Sequence, residues 1–308
     1  MNQHLQQQLD ELGIAFSEGV PLARYTSLKV GGAADLLATP TTAVQVAGLL
    51  KLAEENSLPV LTVGRGTNLL IGDRGFRGLV ILLDEKLLDG RFEIEGESCR
   101  ASAGLKLSKV VKQLCSTGLG GLENLYGIPG SLGGALAMNA GSYGSTIMPA
   151  VEEVELALPS GEVIWLSGSE IDYGYRRVKL PEGAVITQAR LRLQSSDSAA
   201  LLEICKARQA DRELKHPLTK PNCGSVFKNP TNKNPDGEHG AWWLVNEAGL
   251  KGFSIGGARV STKHTNFIIN TGNATAADVK ALILHIQKTV RERFGIELET
   301  EVRRAGEF

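Results

Sequence analysis

Two glycine-rich tracts, G-R-G-T-N-L-L-I-G-D-R-G-F-R-G (64–78) and G-I-P-G-S-L-G-G-A-L-A-M-N-A-G-S-Y-G (127–144), constrain this chain more than any other feature. The first lies between short apolar strands predicted at 59–63 and 79–83, and its five glycines leave little room for a crossover helix. It fails as a nicotinamide-type dinucleotide loop. Asp84 stands 20 residues past Gly64, where that motif's acid would fall, but the third glycine position is Leu69 and no helix opens from the loop. No G-x-x-x-x-G-K-[ST] run occurs either. What survives is a pair of loops at strand ends, carrying Thr67 and Asn68 in one and Ser131, Asn139 and Ser142 in the other. Backbone N–H groups beside glycine, with small hydroxyls and amides, suit a pyrophosphate without net positive charge. Turns that need positive φ explain one such tract comfortably and two less so.

Charge and cysteine usage narrow the class. Lys and Arg total 33 against 34 Asp and Glu, so no net field points to nucleic acid or an acidic membrane surface. The four cysteines include no C-x-x-C pair and the five histidines are scattered, which argues against a metal site and against a disulfide scaffold. The N-terminus has no basic n-region or apolar h-region, and no apolar run approaches membrane-spanning length. A reduced, cytoplasmic protein is expected.

Helical spacing marks 42–56, 107–114, 199–214 and a last helix from Thr275 with Asp278 three residues on and Gly295 closing it. Strands are expected as a hairpin at 151–158 and 163–166, at 185–193, at 266–270, and in I-E-L-E-T-E-V-R (296–303), which alternates cleanly. The pattern divides into 1–84, 85–200 and a C-terminal α+β unit, 201–308. That unit holds N-C-G-S-V-F-K-N-P (222–230), where Cys223 and Ser225 compete for a chemical role at an expected turn and strand edge. Local reasoning leaves other residues open. Either Arg176 or Arg177 reads as a solvated strand-end charge, Glu301 shares a strand face with Glu297 and Glu299, and Lys215 stands where a helix end favours a cation.

Six segments in order are more specific: T-S-L-K-V-G-G (26–32), V-G-R-G-T-N-L-L (63–70), G-I-P-G-S-L-G-G-A-L-A-M-N-A-G (127–141), Y-R (175–176), G-S-V-F-K-N-P (224–230) and E-V-R (301–303). From about Arg24 to the C-terminus the chain resembles the UDP-N-acetylenolpyruvoylglucosamine reductase family. The resemblance implies an α+β fold, with a two-lobed FAD-binding region of the vanillyl-alcohol-oxidase-like (PCMH) type and a C-terminal α+β substrate domain. It implies noncovalent FAD held by Gly64, Arg65, Gly66, Thr67, Asn68, Gly130, Ser131, Gly134 and Asn139, with NADPH as co-substrate. The absence of histidine from 60–75 agrees with an untethered flavin.

By the same resemblance, UDP-N-acetylglucosamine enolpyruvyl ether is reduced for peptidoglycan precursor synthesis. Arg176 and a protonated Glu301 steady the enolate, Ser225 supplies the proton, and Lys215, Asn229 and His264 contact substrate. Cys223 then reads as packing. A monomer is expected, with neither nucleic acid nor membrane as partner. After Tyr175-Arg176 the family often has a serine and an aromatic where this chain has Arg177, Val178, Lys179 and Leu180, and the direct run to the 185 strand suggests the family's shorter form. The polar stretch 231–240 is a candidate lid. A related flavin-dependent sugar or aldonolactone oxidase, or a non-catalytic nucleotide-sugar-binding protein, would share much of this pattern.

Overall fold

Val46, Leu49, Leu50 and Ala53, spaced for a helix, lie on the buried face of helix Ala43–Glu55, whose N-cap Thr42 accepts the Gln45 N–H at 3.1 Å. The computed structural model describes residues 3–230 and 240–308. The candidate lid therefore lies outside the described residues, apart from Gly240. The chain forms two compact units, one of Met1–Glu18, Leu36–Arg65 and Gly78–Ala210, the other of Gly19–Asp35, Gly66–Arg77 and Asp211–Phe308. These lines differ from the three-part division expected from sequence, because two short N-terminal segments join the C-terminal unit.

In the first unit, strand Val60–Val63 runs parallel to residues 79–82 of strand Phe76–Leu82. A five-stranded antiparallel sheet follows in the order Val163–Ser167, Val151–Ala157, Val185–Arg192, Ser98–Ser102, Phe92–Glu95. The expected hairpin supplies its first two strands. Helix Leu107–Ser116 buries Leu107, Val110, Val111 and Leu114 in the same hydrophobic cluster as this sheet.

The second unit has its own sheet, in the order Asn222–Ser225, Phe267–Asn270, Ala258–Val260, Ser254–Ile255, and its own hydrophobic cluster. Helix Ala276–Phe294 covers it with Val279, Leu282, Ile283, Ile286 and Val290, and Gly295 ends the helix at φ 68°. Thr275 and Asp278 form a capping box at its start. A further cap comes from the first glycine tract: the Asp73 carboxylate accepts the N–H groups of Ala276 and Ala277 at 2.7 and 2.8 Å.

The continuous strand expected at 296–303 is not formed. Ile296, Leu298 and Val302 are buried and Glu297 and Glu299 exposed, so the alternation of faces is real. The stretch is instead tied to residues 226–228 by separate hydrogen bonds, and the regular strand is Arg303–Ala305, parallel to Leu69–Ile71. Alternation reports which side is buried, not which neighbour completes a ladder.

Candidate active site

In the first unit the two glycine tracts meet. A Cβ placed on Gly64 would lie 2.3 Å from the Ser131 Oγ, so a larger residue there would displace the serine hydroxyl. Ser131 is buried and caps the short helix Leu132–Ala137, its Oγ accepting the Gly134 N–H at 3.3 Å, while the Gly130 carbonyl accepts the Leu107 N–H at 3.1 Å. Arg65, Lys106 and Lys109 lie 3.8, 3.8 and 4.0 Å from the Glu85 carboxylate, and Lys106 pairs with Ser131 across an isolated bridge. Three cations around one carboxylate make this corner locally positive in a chain of balanced charge.

The second glycine tract is hydrogen-bonded to a hairpin 35 residues further along the chain. Tyr173–Gly174 pairs with Arg177–Val178, leaving Tyr175-Arg176 as a two-residue loop with Arg176 at φ 54°. A side-chain-bearing residue in that region costs about 1–2 kcal/mol, a strain often found at functional positions. The Arg176 guanidinium donates to the Gly141 carbonyl at 3.2 Å and lies 5.1 Å from the Tyr175 ring. Arg177 is the solvated partner, exposed and paired with Asp172 at 2.6 and 3.1 Å.

Asn139 is buried, donates to the Gly174 carbonyl at 2.9 Å and accepts the Met148 N–H at 3.3 Å. Its side chain, expected among the cofactor contacts, ties the glycine tract to the arginine hairpin.

In the second unit, residues 66–69, 224–228 and 299–303 come together. Gly66 sits against Tyr25 and Thr26, where a Cβ would be 1.9 Å from the Tyr25 carbonyl oxygen, and the Thr67 carbonyl oxygen is 3.9 Å from the Cβ position of Gly224. Asn68, another expected cofactor residue, has its Nδ2 donating to the Glu301 carbonyl at 3.1 Å, and its own carbonyl accepts the Arg303 N–H at 3.0 Å.

Ser225 ends an edge strand, paired with Phe267. The tight turn expected before it is a bulge inside that strand: Gly224 has φ 78° and its N–H donates to Asn222 Oδ1 at 2.9 Å. The Glu301 and Val302 N–H groups both point at the Val226 carbonyl, at 2.8 and 3.4 Å. Glu301 is half-buried while Glu297 and Glu299, on the same face, are exposed.

The substrate-side candidates have protein partners. Lys215 is exposed and paired with Asp211 at 2.7 Å one helical turn away, as helix-end placement predicts. Asn229 accepts the Ala241 N–H at 3.0 Å, fixing the start of helix Ala241–Glu247. His264 packs edge-on against His216 and Phe267, its Nδ1 accepts the Asn266 N–H at 3.3 Å, and burial holds it below the usual histidine range. With Nδ1 engaged as an acceptor, the ring proton sits on Nε2. Cys223 is 2% exposed and burial pushes its thiol up to about 12, so it is an inert packing residue.

Residues 34–167 match the family described as FAD binding domain, and residues 216–305 match UDP-N-acetylenolpyruvoylglucosamine reductase, C-terminal domain. A UDP-N-acetylenolpyruvoylglucosamine reductase from Geobacter metallireducens is 45% identical over 287 residues, 93% of each chain. The chain belongs to the UDP-N-acetylenolpyruvoylglucosamine reductase family. The reductase from Listeria welshimeri is 40% identical over 99% of both chains. The crystal structure of the reductase from Thermus caldophilus superposes with a TM-score of 0.77 at 32% identity, covering 95% of this chain and 98% of that one.

As a member of this FAD-containing oxidoreductase family, the chain carries an α+β FAD-binding region and a C-terminal reductase domain. The corner at Gly64 and Ser131 sets a bare glycine backbone against a capping hydroxyl, with three cations gathered around Glu85, a donor set suited to a diphosphate. Among the described residues no three metal-ligating side chains gather, and no helix is long and apolar enough to cross a membrane.

Proposed function

We propose that this protein uses NADPH and noncovalent FAD to reduce UDP-N-acetylglucosamine enolpyruvyl ether to UDP-N-acetylmuramate, as a monomeric cytoplasmic enzyme of peptidoglycan precursor synthesis. Bound FAD would supply the hydride chemistry that links NADPH to the enol ether carbon. Gly64, Arg65, Gly66, Thr67, Asn68, Gly130, Ser131, Gly134 and Asn139 would hold the FAD.

Hydride addition to a C=C conjugated with a carboxylate drives negative charge onto that carboxylate. The Arg176 guanidinium and the Glu301 carboxyl steady this charge, and the Ser225 hydroxyl delivers the proton that completes the new C–H bond. The reading is supported above all by the way the Ser225 and Glu301 segments run side by side, joined at Val226 by the 2.8 Å bond from the Glu301 N–H. The strained backbone at Arg176 is a second support. His264, Asn229 and Lys215 would contact the substrate.

The oxidase and non-catalytic readings are less well supported, since the named reductases match over nearly the whole chain. Purified protein is expected to be yellow and, under argon, to oxidise NADPH beyond one equivalent per flavin only when the enolpyruvyl ether is added. Turnover that requires oxygen instead points to an oxidase, and colourless protein that binds the nucleotide sugar points to a binding protein.

A further inference from the structure

Where the regular strand stops at Ser225, the next residues are held from two sides. The Lys228 N–H donates to the Glu299 carbonyl at 2.9 Å and the Val226 carbonyl accepts from Glu301, so these groups face 299–301. The N–H and C=O of Phe227 face the other way and meet a side chain. Asn266 Oδ1 accepts the Phe227 N–H at 2.9 Å, and Asn266 Nδ2 donates to the Phe227 carbonyl at 2.9 Å. The Asn266 carbonyl also accepts the Val226 N–H at 2.8 Å. Asn266 is 4% exposed and Phe227 1%, so no solvent replaces these bonds when the amide is removed. The side chain thus does the work of a neighbouring strand beside the serine.

We propose that Asn266 is a positioning residue for the Ser225 hydroxyl: by clamping Phe227 it fixes the direction from which the proton reaches the substrate carbon. The inference rests on the reductase reading above. It separates Asn266 from Asn270, the buried asparagine four residues on, whose side chain accepts the N–H groups of Gly272 and Ala274 and donates to the Leu28 carbonyl. Both amides are structural in the ordinary sense, but only one is bonded to the serine-bearing segment.

The test uses FAD-loaded full-length protein in rapid-mixing experiments that follow flavin reduction by NADPH and then reoxidation by the enolpyruvyl ether. In Asn266→Ala, reoxidation falls by about 10–10²-fold, while flavin reduction and substrate Kd stay within about threefold. The solvent deuterium isotope effect on reoxidation rises, because proton delivery has become slower. Asn266→Asp keeps the acceptor and loses the donor, so its reoxidation rate falls between wild type and Asn266→Ala. Asn270→Ala lowers Tm but keeps the wild-type ratio of the two rates.

Equal slowing of both half-reactions in Asn266→Ala, or the same selective loss in Asn270→Ala, overturns the clamp. Should Asn266→Ala fail to fold, wild-type reoxidation in Asn266→Asp overturns it. Wild-type protein run alongside keeps the two readings apart: if the ether does not reoxidise its flavin, the reductase reading fails, whereas a selective effect absent only from the variants removes the clamp alone.

Discussion

Cys223 and Ser225 are two positions apart and differ in what surrounds them. The thiol is sealed in the second unit's hydrophobic cluster with its pKa pushed up to about 12, while the hydroxyl ends an edge strand and is half-buried. Spacing alone could not choose between them, because a bulge at Gly224 decides which residue faces the core. Ser225→Ala is therefore expected to leave flavin reduction by NADPH nearly intact and to slow reoxidation by the enolpyruvyl ether about 10²–10⁴-fold, the usual weight of a positioned general acid. Single-turnover rates of the two half-reactions check this, and equal slowing of both would reduce Ser225 to a structural residue. Cys223→Ala, tested in parallel, should leave both rates close to wild type.

Helices were the most legible elements because a buried stripe and a cap are both written locally. Thr275, Asp278 and Gly295 announced the final helix and occupy their expected places. Asp73, which caps the same helix from about 200 residues upstream, carried no local signal, nor did the amide bonds of Asn139, Asn68 and Asn266. Each such bond depends on which distant backbone arrives, and the same reason misplaced the strand at 296–303. The cap also sets a pH dependence. N–H groups of Thr275 and Gly257 hold the Asp278 carboxyl below its ordinary range. Its contribution is complete above the unfolded value, about pH 4, and is lost as pH falls through the lowered folded value. Because the group is only half-buried, the effect is small and screened by salt: Asp278→Asn should cost about 0.3–1 kcal/mol near neutral pH at low ionic strength. Denaturant titrations at neutral pH and below pH 3 measure it, and a wild-type-to-variant gap that stays constant down to pH 2 would count against the assignment.

For the whole molecule, the sequence pattern drew a C-terminal domain at 201–308, and the compact unit is a different object. Its hydrophobic cluster includes Leu28, Val30 and Leu70, which are 0%, 3% and 0% exposed, and strand Arg303–Ala305 has its parallel partner in Leu69–Ile71. Burying three such side chains is worth about 5–9 kcal/mol at about 1.5–3 kcal/mol each. Typical domain stability is only about 5–15 kcal/mol. A fragment of residues 201–308 also lacks Asp73 at the helix start and the Leu28 carbonyl that accepts from Asn270. It is expected to show no cooperative thermal transition by circular dichroism under conditions where the full chain melts sharply. A cooperative melt of the isolated fragment would show instead that the segments 19–35 and 66–77 decorate a self-sufficient core. The alternative favoured by the buried residues is that the core closes only when the polypeptide has supplied three separate stretches of sequence, which is why composition and periodicity, read along the chain, could not draw its boundary.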